Sequence, residues 1–311
     1  MICKVIKDNE MKTIGFIGLG HMGNPMVKNL LKNNCAVKVF DLSEKAIADL
    51  TSFGAIAVTS PANIAENADV VFTMLQTGDQ VKQCCLGEQG IFSHLKKQDA
   101  IYIDCSSIDI QCSRELHTQA KINHIAMLDA PVSGGVLAAQ NAALTFMVGG
   151  DENHYERIKP FLSAMGKKII YAGADGSGSA AKICNNMILG VSMIAVCEAF
   201  VLADQLGLDP QKLFEISSNA SGQCWSLTQY CPWPNILPNV PSSHHYQPGF
   251  AAKMMLKDLH LSQDAAEKMH ATTPLGKHAM DLYQQFVENG NAEVDFSGII
   301  QMLSKNFLTE N

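Results

Sequence analysis

Uninterrupted apolar runs of strand length alternate with segments of helical period through the first half of the chain. Thr13–Ile17, Ala36–Phe40, residues 70–74 and Ile101–Asp104 are such runs. Each is followed by a turn of polar or small residues and then by a helix-like stretch. In residues 21–33 the residues Met22, Met26, Leu30 and Leu31 recur near helical spacing, and residues 43–53 read as a second helix. Strands alternating with helices predict a parallel sheet. Residues 125–129, 144–148 and 168–171 are expected to extend it.

The pattern changes after Tyr171. Residues 172–179 are rich in Gly and Ser, and beyond them the periodicity is helical. A long helix is predicted over 182–206, another over 210–219 with Pro210 in its first turn, and others over 250–270, 274–288 and 296–308. Residues 221–249 hold both tryptophans and five of the eleven prolines, which predicts an ordered but irregular segment. The stretch 183–208 has the length and apolarity of a membrane span. Asn185, Asn186, Glu198, Asp204 and Gln205 interrupt it, so a buried helix between domains is the expectation. The predicted architecture is an α/β N-terminal domain with a mainly parallel sheet, residues 12–174, followed by an all-α domain, residues 175–311, joined through that long helix. The first ten residues precede Met11 and read as a tail without assigned function.

A chain of 311 residues with 47% hydrophobic and 17% charged residues can bury a large core in about two domains. The net charge of −7 gives no electrostatic support for a nucleic-acid partner. The ten cysteines contain no C-x-x-C pair. No signal-like segment opens the chain, so reduced thiols in a cytoplasmic protein are expected, most of them packed in the core. The histidines show no metal-ligand spacing beyond the pair His244-His245, and no metal site is predicted.

Specific chemistry enters at Gly18-Leu19-Gly20-His21-Met22-Gly23. This G-x-G-x-x-G turn follows one predicted strand and opens a helix, as in a Rossmann domain. Its first Gly permits the tight turn, the second lets the backbone approach a pyrophosphate, and the third lets helix and strand pack closely. The helix start then faces the phosphates with free amides and a partial positive charge. Asp41 closes the next strand 18 residues beyond Gly23, near the ~20 expected of the acid that binds the ribose hydroxyls. Its carboxylate would repel the 2′-phosphate of NADP, and no Arg follows within residues 42–44. NAD is the predicted cofactor.

Beyond this turn, dispersed motifs stand in order. They are residues 15–26, Asp129-Ala-Pro-Val-Ser-Gly-Gly135, Gly176-Ser-Gly-Ser-Ala-Ala-Lys-Ile-Cys-Asn-Asn-Met187, Ser221-Gly-Gln-Cys-Trp-Ser226, Lys257-Asp-Leu259 and Asp295-Phe-Ser297. Through them the chain resembles the β-hydroxyacid dehydrogenases from Thr13 to about Leu303, most of all their 3-hydroxyisobutyrate dehydrogenase branch. The resemblance implies NAD-linked oxidation of 3-hydroxyisobutyrate to methylmalonate semialdehyde, a step of valine breakdown. It implies Lys182 as catalytic lysine, Asn186 as the residue orienting the substrate, and Ser133, Gly134 and Gly135 as the loop holding its carboxylate. Lys257 matches a lysine near the nicotinamide, and Leu75, Gln76, Gln80 and Ser107 match further cofactor contacts. A homodimer or homotetramer is implied as well. The chain departs from the family pattern in carrying Gln76 for Pro, Ser107 for Thr, Gln223 for Arg, and Ala142-Ala143 for Gly-Thr.

The residue types suit the chemistry. Oxidising an alcohol moves a hydride to the nicotinamide and a proton to a base within hydrogen-bond reach, and a buried lysine can serve as that base. Lys182 opens the apolar helix after a Gly-rich turn, and the i, i+4 spacing sets Asn186 on the same face. The backbone of residues 133–135 can form an anion nest suited to a carboxylate. Asp258 could pair with Lys257, orient it, or cap a local turn. Met254-Met255 reads as core packing. The alternatives are a sibling such as tartronate semialdehyde reductase, or a non-catalytic binding protein on the same fold. A 6-phosphogluconate dehydrogenase is disfavoured by length and by the lack of recognisable phosphate-binding basic residues.

Overall fold

A computed structural model describes residues 12–304, in two compact units that divide between Lys182 and Ile183. The tail read over the first ten residues, and the end of the helix predicted over 296–308, lie outside the described residues.

The first unit runs β1 (Thr13–Ile17), α1 (Gly23–Lys32), β2 (Ala36–Phe40), α2 (Glu44–Ser52), β3 (Ile56–Ala57), α3 (Pro61–Ala65), β4 (Val70–Thr73), α4 (Gly78–Leu86), α5 (Ile91–His94) and β5 (Ile101–Asp104). It continues with α6 (Ile110–Ile122), β6 (Ala126–Asp129), β7 (Val132–Ser133), α7 (Gly135–Gln140), β8 (Leu144–Gly150), α8 (Glu152–Ser163) and β9 (Gly166–Gly173). The strands form one sheet in the order β3-β2-β1-β4-β5-β6-β8-β7, with β9 on β8. The central strands read as continuous apolar runs because both faces are covered. Ile14, Phe16, Val70 and Phe72 enter one core, where the Phe16 and Phe72 rings stack at 5.8 Å, while Ile17, Val71 and Tyr102 enter the core on the opposite face. Successive side chains of a strand point to opposite faces, so two cores follow from one run.

From β3 to β6 every pairing is parallel. The later strands differ from a simple continuation. β8 runs antiparallel to β6 and to β7, and β9 runs parallel to β8. A parallel return needs a crossover of a dozen or more residues over one face. Here β7 and the short α7 turn the chain back at the sheet end instead, a reversal that apolar periodicity cannot reveal.

Most helices of this unit start under a side-chain cap: Ser43 on α2, Ser60 on α3, Thr77 on α4, Asp109 on α6 and Asp151 on α8. α1 is different. Met22 at its N-cap supplies no side-chain acceptor, and its first turn holds no acidic residue.

The second helix set begins with α9 (Ser177–Gln205), which runs unbroken past Lys182, and contains α10 (Pro210–Ser217), α11 (Trp225–Thr228), α12 (Ala252–Lys268), α13 (Pro274–Phe286) and α14 (Ile300–Leu303). Its core joins Met193, Cys197 and Phe200 of α9 to Met255 and Leu259 of α12 and Tyr283 and Phe286 of α13. α9 has the length and hydropathy of a membrane span, but its Met193–Cys197–Phe200 side is buried in protein. The irregular region before α12 is punctuated by α11 and by a 3-10 turn at Pro241–Ser243. Another 3-10 turn, Phe296–Ile299, precedes α14, so the helix expected from residue 296 is two short pieces. Asp295 starts that turn. Its buried carboxylate accepts from the Ser297, Gly249 and Phe250 amides and from the Tyr230 hydroxyl, and it fastens three segments together.

The nine described cysteines are all free, and all but Cys184 and Cys224 are buried or lie at the core. Burial pushes the Cys84 thiol up to about 12 and the Cys231 thiol up to about 11, so these are packing groups rather than nucleophiles.

Candidate cofactor and substrate site

The glycine turn leaves β1 at its carboxyl edge. Gly18 has φ +92°, and a Cβ there would come within 2.3 Å of the Met74 carbonyl oxygen. A Cβ on Gly23 would lie 1.9 Å from the Gly18 carbonyl oxygen. These two positions are therefore closed to larger residues by the protein itself. Gly20 is exposed, and a Cβ on it would meet nothing within 4 Å among the described residues. The open space over Gly20 is a cradle that a side chain would fill, and the start of α1, which no side chain caps, lies at the same end. His21 is exposed and Leu19 buried.

Asp41 follows β2 directly. Its Oδ2 accepts the Leu19 amide at 2.6 Å and its Oδ1 the Ser43 amide at 2.7 Å. Each carboxylate oxygen keeps lone pairs for further donors. The Gly18 amide also reaches the Phe40 carbonyl at 3.1 Å. Asp41 and the glycine turn are thus one rigid piece. An uncapped helix start, a cradle over Gly20 and a fixed carboxylate fit a dinucleotide.

The neighbouring turns complete this edge. A Cβ on Gly18 would lie 3.0 Å from Leu75 Cδ2. The Leu75 amide donates to Ser106 Oγ at 2.9 Å, and the Gln76 amide to Gln80 Oε1 at 3.0 Å. Gln76 and Gln80 are exposed, and Ser107 is half-buried next to Ser106. Beneath them Asp104 accepts from Thr73 Oγ1 at 2.8 Å and from the Ser106 amide at 3.1 Å. Burial pushes its carboxyl up to about 6 despite those bonds, and the charge of Asp129 adds to the rise.

Asp129 pairs in register with Asp104 across β5 and β6. Its surroundings are different. Oδ1 accepts the Gly176 amide at 2.9 Å and faces His117 Nε2 at 2.9 Å, while Oδ2 accepts the Ser179 amide at 2.7 Å. Burial acts to raise this carboxyl. The His117 hydrogen bond and charge and the two amides more than offset it, and hold it below its usual range. Asp129 therefore caps the start of α9 from a distant strand. This corrects the expected helix start at residue 182. Gly and Ser are poor helix formers, yet the helix begins at Ser177 because a buried carboxylate takes up amides that would otherwise be orphaned. Lys182 lies beyond the first turn and is 8% exposed.

Ser133 ends β7 opposite Thr145, and Gly134 and Gly135 follow with φ of +130° and +69°. Ser133 and Gly135 are half-buried and Gly134 is exposed.

In the second unit, Asn186 is 1% exposed and its Nδ2 donates to Asp258 Oδ2 at 2.5 Å. Asn185 Nδ2 donates to Asn186 Oδ1 at 3.0 Å. Asp258 lies beside Lys257 on α12, with Lys257 Nζ 3.8 Å from its Oδ1. That Oδ1 is buried without a hydrogen-bond partner among the described residues. The pairing with Lys257 open to Asp258 is present as that 3.8 Å charge contact, while its hydrogen bond goes to Asn186, a partner outside the three expected roles. Gln223 is exposed and its amide turns toward Thr228 at 3.3 Å. Met255 is buried in the core, with Met254 half-buried.

Apolar periodicity assigns no role to Asp104, His117, Asp129 or Asp175. A signal for two of them was present. Three apolar runs end on an acid at the same edge of the sheet, Phe40-Asp41, Ile103-Asp104 and Leu128-Asp129.

Comparison with known proteins places this geometry. Residues 13–173 match the family model of the NAD-binding domain of 6-phosphogluconate dehydrogenase. Residues 176–303 match that of the NAD-binding region of NADP-dependent 3-hydroxyisobutyrate dehydrogenase. The chain is 43% identical over 293 residues to an NAD-dependent L-serine dehydrogenase of Pseudomonas aeruginosa, covering 94% of this chain and 98% of the relative. It is 43% identical over 290 residues to the mitochondrial 3-hydroxyisobutyrate dehydrogenase of Homo sapiens, covering 93% and 86%. A solved structure of Mycobacterium tuberculosis 3-hydroxyisobutyrate dehydrogenase with L-serine superposes with a TM-score of 0.89 at 43% identity, covering 94% of this chain and 99% of that one.

Proposed function

The chain belongs to the β-hydroxyacid dehydrogenase family, and from that premise we propose that it oxidises 3-hydroxyisobutyrate to methylmalonate semialdehyde with NAD, as in valine breakdown. The observation that carries this reading is the pair Lys182 and Asn186, both buried and one helical turn apart on the continuous α9. NAD, when bound, takes the hydride from the carbinol carbon. Lys182 Nζ accepts the hydroxyl proton. Asn186, its amide held by Asp258, orients the substrate oxygen. Ser133, Gly134 and Gly135 hold the carboxylate through the hydroxyl and backbone amides. Leu75, Gln76, Gln80, Ser107 and Lys257 line the cofactor. The carboxylate of Asp41, fixed by two amides, supports NAD over NADP, because a 2′-phosphate would meet a like charge. Exposed Ile188, Leu202 and Leu206 on and just after α9 support a homodimer or homotetramer.

A second reading, L-serine, is favoured by one observation. L-serine shares the primary hydroxyl and the carboxylate and differs in carrying an ammonium where 3-hydroxyisobutyrate has a methyl group. Asp258 Oδ1, which accepts no hydrogen bond among the described residues and has Lys257 Nζ 3.8 Å away, is a buried acceptor beside Asn186, and its carboxylate charge suits an ammonium. NADH formation from NAD with 3-hydroxyisobutyrate or L-serine, and NADH consumption with tartronate semialdehyde, separate the readings. The highest kcat/KM is expected for 3-hydroxyisobutyrate. A higher value for L-serine sinks the first reading, and no turnover of any of the three sinks both. NADP preferred over NAD sinks the cofactor assignment to Asp41.

A further inference from the structure

Asp104 ends β5 at the sheet edge that carries the glycine turn, and its side chain is 1% exposed. Its Oδ1 accepts the Thr73 hydroxyl at 2.8 Å and the Ser106 amide at 3.1 Å, and the carboxylate also accepts the Ser106 hydroxyl. An ionised carboxylate has no proton to give, so every partner must donate to it. The direction of the whole buried network follows. Thr73 aims its one hydroxyl proton at Asp104, so the Tyr102 hydroxyl, 2.7 Å from Thr73 Oγ1, donates to Thr73. The Cys85 thiol meets Tyr102 behind it. Ser106 likewise aims its proton at Asp104. Its oxygen is left as an acceptor, and that oxygen takes the Leu75 amide at 2.9 Å.

Leu75 and Met74 stand against the glycine turn. The Met74 amide donates to the Ile17 carbonyl at 2.9 Å, and a Cβ on Gly18 would lie 3.0 Å from Leu75 Cδ2. One carboxylate thus joins the turn after β4 to the turn after β5, beside the turn after β1. The arrangement carries a stability cost. Burial outweighs all three hydrogen bonds, the Asp129 charge adds to the rise, and the carboxyl is pushed up to about 6. A neutral side chain of the same shape would suit the fold better at pH 7, and a group that costs stability in this way is characteristic of function. We propose that Asp104 is a positioning residue for NAD: as a fixed acceptor it orients the Ser106 hydroxyl, whose oxygen then holds the Leu75 amide and sets the wall of the cofactor site. This rests on Leu75, Gln76 and Ser107 lining the cofactor. Every contact in it lies within the first unit.

Asp104→Asn keeps the shape and adds a donor amide, so the Ser106 hydroxyl loses its fixed direction. At pH 7 the variant without cofactor should melt a few degrees above wild type and yet bind NAD on the order of 3- to 10-fold more weakly, with kcat at saturating NAD within about twofold. Ser106→Ala cuts the same link from the other side and should weaken NAD by a similar factor. The double variant should be little weaker than the weaker single, because both break one chain of contacts. Amide exchange at Leu75 should accelerate in both singles, with no cofactor present. A melting temperature that falls with affinity, or an Asp104→Asn that does not fold, marks a purely structural carboxylate and overturns the proposal. Losses that multiply in the double variant, or Leu75 exchange unchanged in Ser106→Ala, overturn it as well. The cofactor placement is checked separately, by whether NAD protects the Leu75 and Gln76 amides in wild type. No protection removes that placement and the proposal with it, whereas protection with wild-type NAD affinity in both singles overturns the proposal alone.

Discussion

Two helices of this protein begin at the same edge of one sheet, and their starts are opposites. α1 opens on Met22, with no side-chain cap, no acid in its first turn and open space over Gly20. α9 opens over Asp129, whose two oxygens take the Gly176 and Ser179 amides, with His117 behind them. Both ends carry the partial positive charge of a helix N-terminus. At α1 that charge is left for an anion from outside. At α9 the protein supplies the anion itself and so fixes the helix that carries Lys182. An empty helix start reads as a binding site, and a filled one reads as a mount.

The largest effect is expected from emptying the mount. Asp129→Ala should destabilise the fold by about 3–5 kcal/mol, since it leaves His117 and two amides buried without their anion. A thermal melt close to wild type would show that α9 starts without Asp129. Next is Lys182→Ala, which should lower kcat on the order of 10²-fold, with NAD affinity nearly unchanged. Steady-state kinetics and NAD titration separate the two quantities, and wild-type kcat removes Lys182 from its role. At the open end, Gly20→Ala should leave the melting temperature nearly unmoved and weaken NAD binding by about tenfold. Gly23→Ala, whose Cβ would meet the Gly18 carbonyl, should lose stability as well. If calorimetry finds equal NAD affinity in Gly20→Ala and wild type, the space over Gly20 is not the cradle.

The smallest effect is expected from pH, through Asp104 and Asp129 with opposite signs. Asp104 is pushed up to about 6, so the native state holds its proton more tightly than the unfolded chain. The stability it contributes is present below its ordinary range near 4 and is lost as pH rises through about 6. Asp129 is held low, so its contribution is present at neutral pH and lost on acidification below the ordinary carboxylate range. Asp104→Asn should therefore raise the melting temperature relative to wild type by a few degrees at pH 7 and by less at pH 4. An equal difference at both pH values refutes the Asp104 assignment.

Much of the open end was legible from residue order. Gly18, Gly20, Gly23 and Asp41 are close in sequence, and their spacing alone implies strand, turn, helix and acid. The filled end was legible only as motifs. Ser177, Gly178 and Ser179 have no local reason to be helical. Their reason is a carboxylate 47 to 50 residues earlier in the chain, which no window of periodicity spans. Asp258 was ambiguous for the same cause, because its partner Asn186 is 72 residues away. The antiparallel β8 was hidden because the residues Leu144–Gly150 carry no mark of strand direction. The fold class needed only local pattern, and Lys182 and Asn186 needed the family resemblance. The residues that hold their helix in place needed coordinates.

The distance between Asp129 and its helix also has a consequence in time. The intervening chain contains β7, β8 and β9 in full, so during synthesis β6 and α6 exist before there is any helix start for Asp129 to receive. Closing so long a loop carries an entropic cost that is recovered only when its ends meet. The mount for Lys182 therefore cannot be completed until the chain has been made through residue 179, and until then Asp129 and His117 have no helix start to hold.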